Sequence, residues 1–456
     1  MDTQTKNALK NILVLFQNGE YEKVKNEALK ITELNPELHQ GWMALGVALQ
    51  KMGFYTEALP ALIKTVEISP LEAQNHSNLA CAMQSAGRFS EAEVSCRQAL
   101  KLNPSSAEIN NNLGSILKDL NRLDEAEIYY NQAITINPFL AETLCNMGDL
   151  LIQKNKFLEA EKLIREALAI IYDYPLAHNN LGVALRSQGK FSEANASFKN
   201  AISLKKDYAL AHLNLGQSLF SQNLIGEALV SFYSSLLIEE MPMAKYMFVT
   251  TLKNCSINQY DKKLAELVCK AISEPWGRPS SIVQFSLQLV KHDNNYLNIV
   301  HNSCYISNDK CNIKLIINYV VSESIELFKA TLCAGLIPDI EIEKFLIWIR
   351  KEMLFEIDAI DKNDDVLSFC SALAQQCFIN DYCYSETDEE LQLVEVLKKK
   401  MIDCVEGNNQ LSPLQIAIAG CYMPLANFFN KNDVILNTNE NCDYFNKLIT
   451  LQVNEC

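Results

Sequence analysis

One pattern in this chain returns every 34 residues, and that period limits the fold more than any other feature. Residues 177–209, AHNNLGVALRSQGKFSEANASFKNAISLKKDYA, hold two apolar-periodic segments joined by a short turn, with close copies on either side. A glycine in the first segment recurs at Gly46, Gly114, Gly148, Gly182 and Gly216, with Ala80 in the third register. Ala58, Ala92, Ala126, Ala160, Ala194 and Ala228 share a second register. Tyr55, Phe89, Leu123, Phe157, Phe191 and Ile225 share a third, and Pro36, Pro70, Pro104 and Pro138 close four of the units.

A pair of antiparallel helices cannot bury its apolar stripe alone, so neighbouring units must stack into one continuous core. Small residues at the glycine and alanine registers let helix A and helix B approach closely. The large residue of the third register is expected to begin helix B and fill the groove so formed, and Gly53, Gly87 and Gly189 sit where a turn is needed. The first unit, about Thr5 to Leu38, is irregular: Ile12 replaces the glycine, and Val24 and Ile31 stand where later units have small residues. Terminal units are often atypical because they cap the stack.

A large residue, L-G, an aromatic, a helix-B alanine and a closing proline in one phase resemble the tetratricopeptide repeat. The match covers about residues 5–242, seven units. It implies an all-α tetratricopeptide-repeat superhelix, an α-solenoid of about seven repeats. Residues 243–257 read as a capping helix and boundary, and residues 258–456 as a second, non-repeat helical module.

At 456 residues the chain is too long for one compact core and suits an array plus a further domain. Residues 1–256 carry 23 Lys plus Arg against 27 Asp plus Glu, the remainder 17 against 28, so most of the net charge of -15 lies in an acidic module. Without a basic patch, nucleic acid is a poor partner. Fifteen cysteines form no C-x-x-C; the nearest pairs are Cys377 with Cys383, Cys304 with Cys311, and Cys370 with Cys377. They read as small apolar fillers in a reducing compartment, as Cys96 does at a helix-B core position. The N-terminus lacks a signal-peptide pattern and no run is long enough to span a membrane, so a cytoplasmic location is expected, with no membrane partner.

In the module, apolar spacing predicts helices at QYDKKLAELVCKAI, Ser281–His292, Asn312–Gly335, Ile340–Ile360, Val366–Tyr384 and Glu389–Val405. Pro275, Gly277 and Pro279 force a turn, Thr387 to Glu390 has capping-box spacing, and Ser412-Pro413 opens another short helix. EPWGRP, FCSALAQQCFINDYCYSETDEE, PLQIAIAGCYMPL and LITLQVNEC resemble a region of bacterial tetratricopeptide-repeat proteins that carry a class I S-adenosylmethionine-dependent methyltransferase domain. In that family the region lies between repeats and catalytic domain. The resemblance implies a methyltransferase domain after Cys456, missing or supplied by another chain.

The chain itself shows no enzyme chemistry. Gly277, Gly335, Gly407 and Gly420 are too far apart for a cofactor loop, and no G-x-S-x-G or H-E-x-x-H occurs. His292 and His301 near Cys304 lack a nucleophile context, and six scattered histidines make no metal pattern. No cofactor is expected.

The array does hold one binding constellation. Two residues before the glycine register stand Asn78, Asn112, Asn146, Asn180 and Asn214. Asparagine costs up to ~0.7 kcal/mol against alanine inside a helix, so propensity does not select it five times. At about 100° per residue, Asn180 points away from the A–B core. In the repeat family helix A lines the concave face, so the five are expected to form a ladder that pairs with the N–H and C=O of an extended polypeptide. The ladder resembles that of the repeat domain of O-GlcNAc transferases. The alternative is that these amides brace adjacent helices. Asn111, Asn179, Ser77, Ser115, Asp149 and Gln217 flank the ladder, while His76, His178 and His212 share the large-residue register of Trp42 and read as packing residues. With few cations in these registers, a carboxylate clamp is not expected.

The sequence thus reads as a protein-interaction scaffold that binds an extended polypeptide in the concave groove. The resemblance makes it the substrate- or partner-recruiting part of a bacterial methyltransferase system. The alternatives are a stand-alone adaptor for multiprotein assembly, or the substrate-selecting part of a glycosyltransferase like the O-GlcNAc transferases.

Overall fold

The computed structural model describes residues 3–274, 276–304, 313–322, 324–358, 364–380, 386–405, 411–429 and 442–454, with Ile360 and Tyr384. Pro275, Cys311, Cys383 and Gly407, and the side chain of Cys304, lie outside the described residues. The described residues are helical throughout and divide into two compact units, Met1–Ser218 and Leu219–Cys456.

The first unit stacks helix pairs in chain order: α1 (Thr3–Gln17) with α2 (Tyr21–Leu34), α3 (His39–Lys51) with α4 (Tyr55–Ile68), and α5 (Ala73–Ser85) with α6 (Phe89–Leu102). Then come α7 (Ala107–Asp119) with α8 (Leu123–Ile136), α9 (Ala141–Gln153) with α10 (Phe157–Ile170), and α11 (Pro175–Ser187) with α12 (Phe191–Leu204). Helix α13 (Ala209–Ser221) runs across the division. The period arises because each A helix from α3 on has 13 residues and each B helix 14, separated by short linkers.

Each linker between A and B turns on one left-handed residue. Gly19, Gly53, Gly87, Asn121, Asn155, Gly189 and Asn223 share one register, with φ between 59° and 86°. Only glycine, and less cheaply asparagine, enters that region without a Cβ penalty. Gly19 puts the irregular first unit in phase with the others.

The glycine register marks where helix A meets a large helix-B side chain. A Cβ on Gly114 would lie 2.7 Å from Tyr130, on Gly148 2.4 Å from Ile164, and on Gly182 2.6 Å from Phe198. On Gly46 it would lie 2.5 Å from Leu62. Two units depart from this pairing. Ala80 faces the register of Cys96, and Ile12 that of Ala28, and all four are buried. The groove is therefore filled from the middle of helix B. The residues that begin helix B, such as Phe157 and Phe191, are only half-buried, contrary to the sequence reading.

The large-residue register holds more than packing. Trp42 Nε1 donates to the Pro36 carbonyl at 2.8 Å, and Asn110 Nδ2 to that of Pro104 at 3.5 Å. The Nε2 atoms of His76, His178 and His212 lie 2.8, 2.9 and 3.3 Å from the carbonyls of Pro70, Tyr172 and Lys206. Each ties helix A to the linker six residues back. Leu144 takes this position without a donor.

Charged groups bridge successive pairs on the B side. Glu93 accepts from Arg97 and Arg122, Glu127 from Lys154 and Lys156, and Glu161 from Arg165, Gln188 and Lys190. Burial raises the Glu161 pKa, but Lys190, Gln188 and Arg165 outweigh it and hold the carboxyl down at about 2.

The second unit contains α14 (Ile225–Ile238), α15 (Pro242–Leu252), α16 (Lys262–Ser273), α17 (Val283–Lys291), α18 (Asn294–Cys304) and α19 (Ile313–Val320). It continues with α20 (Ile325–Ala334), α21 (Ile340–Phe355), α22 (Asp364–Ile379), α23 (Asp388–Val405), α24 (Pro413–Ala419) and α25 (Asp443–Ile449). Helix α15 buries Phe248 against Trp276, ring centroids 6.3 Å apart, and a Cβ on Gly277 would lie 2.8 Å from Val249. Tyr296, Tyr319, Phe328, Phe345 and Phe369 form an aromatic core. The pattern at Asn312–Gly335 is two helices, because Ser322 Oγ caps the Tyr319 carbonyl at 2.6 Å. Helix α18, absent from the sequence reading, follows Asp293, whose carboxylate accepts from the Tyr296 N–H.

The capping box expected at Thr387 forms, and Ser412 caps its helix through a second one. Thr387 Oγ1 accepts from the Glu390 N–H and Glu390 Oε2 from the Thr387 N–H, and Ser412 and Gln415 pair likewise. Glu390 also lies 3.6 Å from Arg350, which stacks on the Tyr422 ring at 4.4 Å; both charged residues are buried. Cys96, Cys370, Cys377 and Cys421 are buried and free, and burial pushes the Cys96 and Cys370 thiols up to about 12.

Replacing Gly182 by alanine is expected to destabilise the array by ~1–3 kcal/mol through the Phe198 contact. Adding Phe198→Cys, which rebuilds the Ala80 and Cys96 pair, should cost less than its effect in the parent. Denaturant unfolding of both single variants and the double variant measures the coupling. Simple additivity would show that the facing side chain does not set the glycine.

The Glu161 cluster predicts an acid limb of stability. A depressed carboxyl stabilises above its ordinary pKa of 4.5, and that contribution is lost as the pH falls toward about 2. Melting temperature against pH should therefore be flatter over this window for Glu161→Gln than for the parent. Parallel profiles would count against it.

Candidate polypeptide-binding face

The A helices bring the five register asparagines into one row, and that row is occupied from within. Asn112 Nδ2 donates to Ser77 Oγ at 3.1 Å, Asn146 Nδ2 to Asn111 Oδ1 at 3.0 Å, and Asn214 Nδ2 to Asn179 Oδ1 at 2.9 Å. Asn180 Nδ2 lies 3.8 Å from Cys145 Sγ. In each case the amide reaches back to the preceding A helix, one residue before that helix's own register asparagine. Asn78 has Met43 at that position, which offers no comparable acceptor; its Oδ1 instead accepts from Gln74 at 2.9 Å.

The expected amide ladder is thus a brace in its first function. The sequence reading set amides open to a ligand against amides that brace adjacent helices, and here one Nδ2 proton of Asn112, Asn146, Asn180 and Asn214 is turned to the neighbouring helix. The second proton remains, and so do the Oδ1 atoms of Asn112 and Asn146, which accept no hydrogen bond among the described residues. Asn180 Oδ1 accepts from Asn179 Nδ2 at 3.4 Å. Asn112 and Asn146 are half-buried, while Asn180 and Asn214 are 7% exposed. Asn111, Asn179 and Ser77, nearly inaccessible, are the seats on which the row rests.

A second row reaches the other way. Gln84 Nε2 donates to Ser115 Oγ at 2.9 Å and to Asp119, Lys118 Nζ pairs with Asp149, and Arg186 Nη1 donates to Gln217 Oε1 at 2.6 Å. The sequence reading named Ser115, Asp149 and Gln217 but not Gln84, Lys118 or Arg186. These three share one 34-residue register with Gln50 and Ile152, and their lack of a common residue type hid it. Arg186 also donates to the Asn214 carbonyl at 3.4 Å, and burial lowers its pKa with no carboxylate to offset the effect.

Chemically the face is a polar floor of amides, hydroxyls and one compensated ion pair. It has hydrogen-bonding atoms to offer and no nucleophile–base pair. Burial pushes the Cys81 thiol up to about 11 and the Cys145 thiol up to about 12, so neither is a reactive thiolate. No group of three His, Cys, Asp or Glu among the described residues is placed to hold a metal ion. No helix among them is long and apolar enough to cross a membrane.

Known proteins match this architecture. Residues 105–173 match the family model described as tetratricopeptide repeat, and residues 182–223 that described as TPR repeat. No curated protein matches in sequence. Among solved structures, a chain of the APC/C hetero-tetramer Cut9–Hcn1 is 18% identical with a TM-score of 0.50. The match covers 53% of this chain and 48% of that one, so this chain spans about half its length. YrrB, a TPR protein with an unusual peptide-binding site, is 19% identical over 43% of this chain and 97% of that one, with a TM-score of 0.32. PilF of Pseudomonas aeruginosa is 17% identical over 50% of this chain and 95% of its own, with a TM-score of 0.37. The glycine, alanine and left-handed turn registers run through the matched residues, and the protein is built on a tetratricopeptide-repeat α-solenoid.

Proposed function

We propose that this chain is a protein-interaction scaffold that holds an extended polypeptide along the face lined by Asn78, Asn112, Asn146, Asn180 and Asn214. Tetratricopeptide-repeat proteins act as such scaffolds. The observation that carries the reading here is the braced amide row. Bonds to the preceding helix fix the amides of Asn112, Asn146, Asn180 and Asn214, so their remaining protons, and the carbonyl oxygens of Asn112 and Asn146, are aimed before a ligand arrives. Preorganised groups lose little entropy on binding. Amides read peptide N–H and C=O groups, which every segment has, so backbone rather than side chains would dominate recognition. Residues 5–242 form the binding array in this reading, 243–257 its cap, and 258–456 an acidic helical module that connects it to further machinery. The C-terminal stretches that resemble repeat-containing methyltransferases make a methyltransferase the favoured machinery; neither family model reaches them.

A library of random 12-residue peptides displayed on phage and selected on the full chain supplies the probe. Selected peptides should lose about ten-fold or more in affinity for the Asn112→Ala, Asn146→Ala, Asn180→Ala variant, at ~0.5–1.5 kcal/mol per lost hydrogen bond. A proline inserted in the peptide should weaken binding more than side-chain changes do. Stability should fall by only ~0–2 kcal/mol, because the lost braces are offset by ~0.7 kcal/mol of helix propensity at each site. Unchanged affinity of the triple variant, or a selection that yields no binder, would overturn the reading.

A further inference from the structure

The forward-reaching row leaves one charge over. In the third and fourth repeats the reaching residue and its seat are matched in polarity: Gln84 on Ser115, and Lys118 on Asp149. In the fifth repeat the reaching position is Ile152 and its seat in the sixth is Val183, both apolar. Arg186 alone breaks the matching. Its seat is Gln217, a neutral amide, and its other acceptor is the Asn214 carbonyl. The guanidinium is half-buried, yet no carboxylate is paired with it among the described residues. The end of α11, where Arg186 sits in the last turn, offers only the partial negative charge of a helix terminus.

A partly desolvated cation without a counter-ion costs folding free energy, and a carboxylate ligand removes that cost while gaining a charge-assisted hydrogen bond. Arg186 shares the Asn214 and Gln217 neighbourhood with the end of the amide row, so a segment running along the asparagines passes it. We propose that Arg186 is the register-setting anchor of this face and that it takes a carboxylate of the bound polypeptide, from Asp, Glu or the chain terminus. The inference rests on the reading of the amide row as a polypeptide-binding face. The amides hold backbone at any register, and the single cation chooses which residue lies opposite α11.

The structure supplies its own control. Gln217→Glu would place at this step the carboxylate that Asp149 provides for Lys118, satisfying Arg186 from within. Peptides selected on the full parent chain, with their C-termini blocked by fusion to the phage coat protein, should carry Asp or Glu at one fixed position. Their synthetic, C-terminally amidated forms should lose ten-fold or more when that residue becomes Asn or Gln. The same peptides should bind Gln217→Glu and Arg186→Gln at least ten-fold more weakly than the parent, while Gln217→Glu melts at or above the parent temperature. On Arg186→Gln the acidic and amide peptides should bind alike. Peptides ending in a free carboxylate instead of an internal acid, if they bind better than their amidated forms, assign the anchor to a chain terminus. Binding that depends on the asparagines but shows no acidic preference, or is untouched by Gln217→Glu, would overturn the anchor and leave the face. Binding indifferent to the asparagine triple variant, or no selected peptide at all, would overturn both.

Discussion

The first unit depends on the close approach of two helices at one residue per repeat. At Gly114, Gly148 and Gly182 a hydrogen stands where any side chain would overlap the partner helix. That contact sets the A–B distance, and the distance sets which surface each pair offers the next. Ile12 with Ala28 puts the large residue on helix A, and Ala80 with Cys96 pairs two small ones, so the close contact is kept with different residues on either side. The left-handed residue at each turn then closes the pair at a fixed length. A stack with both constraints has no freedom to slip by one residue, which is why registers far from the core, including the amide row, stay aligned over six repeats.

The fold was legible because its signals are local and repeated. A glycine or alanine every 34 residues can be read without knowing its partner. Asn121, Asn155 and Asn223 escaped notice as turn residues because asparagine also occurs throughout the helices, and only backbone angles separate the two uses. The direction of the asparagine row, away from the A–B core, followed from helical geometry. Its first partners did not, since they lie 35 residues back and belong to three residue types: Ser77, Cys145, and the asparagines Asn111 and Asn179. The histidines at 76, 178 and 212 were legible as large residues but not as clasps, because their acceptors are backbone carbonyls that carry no sequence signature.

The second unit was harder to read for a related reason. Its helices are of unequal length and its decisive contacts join distant positions. Glu390 is visible in sequence as the far end of a capping box, yet it also faces Arg350, forty residues earlier, and accepts from the Tyr422 hydroxyl at 3.0 Å. Lys329, also buried, finds Glu326 at 2.6 Å, Ser368 and the Tyr444 ring. Gln452 bonds the Ala374 and Gly420 carbonyls. Such buried polar groups contribute little net stability when satisfied and cost several kcal/mol when a partner is removed. They fix which helices of the module meet, and composition alone shows only that the module is acidic. The stretch around Trp276 and Gly277 is accounted for by packing on Phe248 and Val249, which is a structural reason for those residues to stand where they do.

Two rows with opposite reach give the A-helix face its character. The asparagines look back one repeat, the Gln84–Lys118–Arg186 register looks forward, and α7, α9 and α11 are thereby held on both sides by polar bonds rather than by apolar contact alone. Polar bonding between repeats leaves atoms over, because an amide has more hydrogen-bonding capacity than one neighbour uses. A surface braced by apolar contact would have no such surplus. If the face binds as proposed, the same groups that hold the stack make it receptive, and a change that improves the bracing, by supplying a missing counter-charge or acceptor, removes capacity to bind. On the proposed reading stability and recognition draw on the same atoms, so the mismatch at Arg186 and Gln217 would say more about a partner than the well-matched pair at Lys118 and Asp149.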